Sequence, residues 1–85
     1  MARKFSLPHA EILIKRKPEI GFTLRILVTR KIRRAVDRNR LKRVFREFFR
    51  GKRALLPGNL VICRVDPSAV KIKNAQLFQE LGQIL

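Results

Sequence analysis

Residues 41 to 49, LKRVFREFF, place apolar side chains at Leu41, Val44, Phe45, Phe48 and Phe49. At about 100° per residue these positions line up as one stripe of a helix. Asn39, Lys42, Arg43, Arg46 and Arg50 point away from the stripe, and Arg40 lies on its flank beside Glu47. Such a helix must press one face onto a sheet or another helix. Its other face is a cationic rail that ordinary protein surface does not cover. That requirement limits the chain to folds in which one basic helix lies on a layer.

The rail is the peak of a general excess. The 85 residues carry 21 Lys and Arg against 6 acids, a net charge of +15. From Arg30 to Arg53 there are twelve cations and two acids, so this segment alone supplies +10. Surface helices usually mix signs and gain from pairs four residues apart. Here like charges repel, and a polyanion is the partner that offsets them. Five of the six cations between Asp37 and Arg50 are arginines, whose planar fork matches phosphate and stacks on bases.

A chain of this length allows one domain, residues 1–85, with a thin core of one sheet layer against helices. Residues 1–10 show no clear period, and Pro8 discourages a helix there. EILIKRK, beginning at Glu11, reads as a strand, PEIG as a turn, and FTLRILVT as a second strand. The spacing predicts a hairpin over 11–29, with Phe22, Leu24, Ile26 and Val28 on one face and Thr23, Arg25, Leu27 and Thr29 on the other. The basic helix spans 33–50, with Gly51 turning left-handed at its end. PGN forms a turn, and LVICRV over 60–65 is a buried strand. NAQLFQELGQIL over 74–85 is a closing helix, with Asn74 as its N-cap. The order strand, strand, helix, strand, helix gives an α+β class: a small mixed β-sheet packed against helices. Its strand–helix–strand crossover suits two parallel strands.

Other classes find little support. No apolar run is long enough to span a bilayer, the N-terminus lacks a signal-peptide pattern, and the partners expected exclude membrane and DNA. The single cysteine, Cys63, leaves no internal disulfide and fits a reducing, cytoplasmic setting. His9 is the one histidine, the acids show no metal-ligand spacing, and Ser6 and Ser68 have no base or orienting group nearby in sequence. Catalytic residues and metal ligands are therefore expected to be absent from the protein itself.

TRKIRRAVDRNRLKRVFREFFR resembles the RNR signature of the bacterial ribonuclease P protein component. The matching positions are Thr29, Arg30, Lys31, Ala35, Val36, Arg38, Asn39, Arg40, Lys42, Arg43, Arg46 and Glu47. LPGNLVICRV and the closing helix are similar to that family's later elements. The resemblance implies an α/β sandwich with a left-handed crossover, and a role as the protein subunit of ribonuclease P. In that family an RNA subunit, with Mg²⁺ held mainly by RNA, cleaves the 5′ leader from precursor tRNA, and the protein assists. It implies the catalytic RNA subunit and precursor tRNA as partners. Arg30, Lys31, Arg38, Asn39, Arg40, Lys42, Arg43 and Arg46 are then candidates for RNA binding. Arg25, Thr29, Arg64 and Phe22 are candidates for the leader. The family has a longer N-terminus, with a helix that helps form the leader cleft. Ten residues before the expected hairpin are too few for that helix, a departure that bears on leader recognition. The alternative is a structural or ribosome-associated RNA-binding protein outside tRNA maturation, and which RNA co-purifies separates the two.

Overall fold

Pro8 and His9 form the two-residue turn of a hairpin between β1, Ala2–Leu7, and β2, Ala10–Arg16. The computed structural model describes residues 2–84. A 3₁₀ turn at Pro18–Ile20 leads into β3, Thr23–Val28, and the basic helix α1 spans Ala35–Gly51. β4, Asn59–Val65, and α2, Asn74–Gly82, follow, with 3₁₀ turns at Arg53–Leu55 and Pro67–Lys71. The expected α+β class holds: one mixed sheet carries both helices.

The sheet order is β1-β2-β4-β3, which corrects the expected hairpin over 11–29. β2 and β3 do not pair. β4 lies between them, antiparallel to β2 and parallel to β3. Ile12 sits opposite Cys63, Ile14 opposite Val61, and Ile26 opposite Cys63. The physical reason is burial. Val61 and Cys63 are fully buried, so β4 gains most with a strand on each side. The connection from Lys17 to Phe22 crosses over the end of β4, where the Lys17 N–H donates to the Gly58 carbonyl at 2.7 Å. The strand missed in the sequence is β1. Four of its six residues are exposed, so its alternation of Phe5 and Leu7 with polar residues is too thin to register.

One sheet face carries Phe5 and Leu7, Ala10, Ile12 and Ile14, Val61, Cys63 and Val65, and Leu24, Ile26 and Val28. α1 lays Leu41, Val44, Phe45, Phe48 and Phe49 onto it, as the stripe requires. Phe48 meets Phe49 edge-on at 5.1 Å between ring centres and leans on Phe78 of α2 at 6.0 Å. Leu77 and Leu81 bring α2 into the same core. The opposite sheet face bears Leu13, Leu27, Ile62, Arg25 and Arg64 and has no helix on it among the described residues.

The ends of the helices differ from expectation. Gly51 is the last residue of α1 and has no positive φ; Lys52, at φ −103°, caps the helix through its N–H to Arg50 and Phe49. Among the described residues the glycines with positive φ are instead Gly21, at +68°, and Gly58, at +69° in the turn Leu56–Asn59, where Pro57 and Gly58 take the central positions. α2 ends at Gly82, and Lys73 rather than Asn74 is its N-cap, because the Asn74 side chain is engaged by Arg40. His9 joins two elements. Its Nδ1 is 2.9 Å from Ser68 Oγ and its Nε2 is 3.6 Å from Glu80 Oε2, so it ties the first hairpin to α2.

Candidate nucleic-acid interface

α1 supplies the site because its two faces have opposite fates. With the phenylalanine stripe locked in the core, Asn39, Arg43, Arg46 and Arg50 are all exposed. They sit at i, i+4, i+7 and i+11 and form one line about 16 Å long. Among the described residues none of the three arginines has a carboxylate within ion-pair distance, since the ion pairs there use Lys4, His9 and Arg34. The line is a set of unneutralised guanidiniums on a rigid support.

Arg38 and Arg40 behave differently. Arg38 Nη1 donates to the carbonyls of Ile32 at 2.7 Å and Arg33 at 3.0 Å, closing the loop that leads into α1. Arg40 reaches across to the segment before α2. Its Nη1 donates to Asn74 Oδ1 at 2.5 Å and to the Ile72 carbonyl at 3.3 Å; its Nη2 donates to the carbonyls of Val70 at 3.0 Å and Ala69 at 3.4 Å. Its guanidinium faces the protein, away from the line of Arg43, Arg46 and Arg50. Of the signature's two flanking arginines, both hold structure and Asn39 between them faces solvent.

Lys42 is half-buried and leans toward the end of β3. There it lines an open basin of about 450 Å³ with Thr29 and Arg64. This lies at the carboxyl ends of the parallel strands β3 and β4, and exposed Arg30 and Lys31 follow directly. The Thr29 hydroxyl also accepts from the Lys31 N–H at 3.2 Å, which shapes that turn. Arg64 borders a second groove as well, on the open sheet face, with Lys4, Glu11, Leu13, Leu27 and Ile62. Arg25 shares that face, and Phe22 lies at the opposite end of β3. The four leader candidates therefore do not converge: Thr29 and Arg64 meet, Arg25 is on the same face as Arg64, and Phe22 stands apart. Lys4, Leu13 and Ile62 were missed because they join the groove only through the unrecognised β1 and the insertion of β4.

One cluster resembles hydrolytic machinery. Ser68 lies between His9 and Asp66, but its hydroxyl donates to Asp66 Oδ2 at 2.5 Å, not to the imidazole. The hydroxyl and backbone N–H of Ser68 hold the Asp66 carboxyl below its usual range. The serine proton is committed to a carboxylate, so the cluster works as a clasp on the Pro67–Lys71 turn. No three acid, histidine or cysteine side chains gather as a metal site among the described residues.

The model of the ribonuclease P protein family matches residues 2–85. The chain belongs to the ribonuclease P protein family. It is 31% identical over 86 residues to the ribonuclease P protein component of Proteus mirabilis, covering 96% of this chain and 70% of that one. It is 42% identical over 79 residues to the component from Streptomyces avermitilis, covering 92% and 61%. The fold is similar to the RNase P protein of Staphylococcus aureus, with a TM-score of 0.87, 24% identity, and coverage of 98% and 77%. The RNase P protein of Thermotoga maritima gives 0.82 at 21% identity, covering 99% and 81%. In this member of the ribonuclease P family the signature positions lie on α1 and its entry loop. The family match, over residues 2–85, includes α1 and its cationic outer face.

Proposed function

We propose that this chain binds the RNA subunit of ribonuclease P chiefly through Asn39, Arg43 and Arg46, extended by Arg50 toward one end and by Lys42, Arg30 and Lys31 toward the other. As a member of its family it is the protein subunit of an endoribonuclease that matures the 5′ ends of tRNA, and the chemistry is carried by RNA. The observation that carries the assignment is the line of exposed, unpaired arginines on the outer face of a helix whose inner face is fixed. Each arginine that neutralises a phosphate releases condensed counterions, so binding is electrostatic, strong at low salt and insensitive to sequence. Asn39 adds a donor and an acceptor for a base or sugar edge.

The Mg²⁺ that phosphodiester hydrolysis needs finds no carboxylate cluster on the described residues, and the reading leaves it with the RNA. The protein's part is to lower the repulsion between RNA subunit and precursor, which reduces the Mg²⁺ required. Arg64, Thr29 and Arg25, at one edge of the open sheet face, are where the 5′ leader of the precursor would pass. No helix of the described chain is long and apolar enough to cross a membrane, and a cytoplasmic setting follows from the proposed RNA partner.

The test is cleavage of precursor tRNA by the cognate RNA subunit at low Mg²⁺, with and without the protein. The protein restores correct 5′ cleavage, and Arg43→Ala/Arg46→Ala does not, although its fold is unchanged. If RNA alone is active at high Mg²⁺ and the wild-type protein gives no enhancement at low Mg²⁺, the reading fails.

A further inference from the structure

The rail does not stop at the end of α1. Arg50 continues the line, and Arg53 follows in the next 3₁₀ turn; both are exposed, and neither has an acid within ion-pair distance among the described residues. Beside them opens a shallow basin of about 650 Å³, walled by these two arginines, Phe22 and the glycines 21, 51 and 58. Phe22 is half-buried against the core and lines the basin. A Cβ at Gly21 or Gly51 would meet nothing within 4 Å, so bare backbone fronts open space and a flat group can approach it closely. The nearest acids in sequence, Glu19 and Glu47, are both exposed and outnumbered locally by Lys17, Arg46, Arg50, Lys52 and Arg53. An aromatic ring, two free guanidiniums and glycine backbone are the parts of a site for single-stranded RNA: stacking for a base, cations for the flanking phosphates.

We infer that this basin is a second RNA contact, taking an unpaired nucleotide of the RNA subunit whose backbone has followed α1 from Asn39 to Arg50. The inference rests on the rail's binding that RNA, and it adds a stacking component to an otherwise electrostatic interface. It assigns Phe22 to the RNA subunit rather than to the precursor's leader.

The experiment measures binding of the full-length protein to its cognate RNA subunit and, separately, to precursor tRNA with a long or a trimmed leader, across a range of salt. Gly51→Leu is the central variant. Its Cβ meets no protein atom within 4 Å and leucine favours the helix over glycine, so the side chain extends into the open basin, and a melting temperature no lower than wild type's separates a loss of binding from unfolding. Phe22→Leu keeps apolar volume in the core and removes the ring. Both should weaken binding to the RNA subunit at least about fivefold with an unchanged salt slope, the lower end of a lost base stack. Arg53→Gln should reduce the magnitude of the slope of log affinity against log salt by about 0.7 to 0.9. If Gly51→Leu and Phe22→Leu bind the RNA subunit as wild type does while Arg43→Gln/Arg46→Gln is weakened, the basin is idle and only the rail reading survives. If the rail variant also binds normally, the underlying reading fails with it. A loss seen only with long-leader precursor overturns the assignment to the RNA subunit.

Discussion

Asn39, Arg40 and Arg43 are close neighbours on one helix, yet Asn39 and Arg43 are exposed while Arg40 is not. Arg40 is turned toward the segment before α2, where it satisfies three carbonyls and Asn74, while Arg43, one turn on, faces solvent without a partner. The Ala69 carbonyl keeps the Ile72 N–H as a donor, but removing Arg40 takes the side-chain donor from the Val70 and Ile72 carbonyls, which costs about 1–3 kcal/mol. Arg40→Ala is therefore expected to lower the unfolding free energy measured in urea by that amount, and Arg40→Lys to recover little, since one ammonium cannot reach four spread acceptors. Arg43→Ala should leave stability within about 0.5 kcal/mol and weaken RNA binding. If the two substitutions have the same effect on stability, the division of labour is wrong. Cys63 supports a pH test. Burial pushes its thiol from the ordinary 9.0 up to about 12. Below pH 9 the thiol is neutral in folded and unfolded chains alike. Between 9 and 12 only the unfolded chain ionises, so the thiol's contribution to stability falls through that window. The stability difference between wild type and Cys63→Ala should thus shift against the wild type as pH rises from 9 to 12, and thiol reagents at pH 8 should spare the native chain.

The elements divide according to how local their causes are. α1 is legible because its period is internal: Leu41, Val44, Phe45, Phe48 and Phe49 announce both the helix and its buried side. β4 and α2 are legible for similar reasons. Strand pairing is not, because Ile12 and Ile14 read alike whether the neighbour is β3 or β4. Only the burial available to Val61 and Cys63 decides between them, and that is a property of the assembled sheet. The same limit applies to the site: residue types along α1 gave the rail, but the inward turn of Arg40 depends on α2 docking. Glycine is a further case. Gly51 looks like the helix stop, yet positive φ falls at Gly21 and at Gly58, and at Gly58 φ is +69° and a Cβ would lie 3.2 Å from Pro18 Cα. Gly58→Ala is expected to cost about 1–3 kcal/mol. Gly51→Ala, helical and facing open space, should gain up to about 1 kcal/mol. Thermal melts of the two variants shift in opposite directions if the glycines have these roles.

At the scale of the whole molecule the opposing demands are compactness and charge. A net charge of +15 is packed into a body with a radius of gyration of 12.5 Å. The ion pairs Lys4–Glu11 and Arg34–Asp37 neutralise little of it, and both involve exposed side chains of small energetic weight. The free protein is therefore held together by its phenylalanine-rich core against its own repulsion. That repulsion is screened over about 10 Å at 0.1 M salt. The same cations that oppose folding favour the complex, because the phosphates they meet surrender their counterions. Salt must then act in opposite directions on the two equilibria. Raising chloride from low to moderate concentration should raise the melting temperature of the free protein while lowering its affinity for the RNA subunit. With the three exposed arginines of α1 each neutralising one phosphate, the slope of log affinity against log salt should be about −2 to −3 or steeper. Arg43→Gln/Arg46→Gln should flatten both responses together, since it removes the same charges from each. A variant that flattened the binding slope and left the melting response untouched would mean that the rail's charges are neutralised within the free protein, and the account of α1 as an unpaired cationic line would fail.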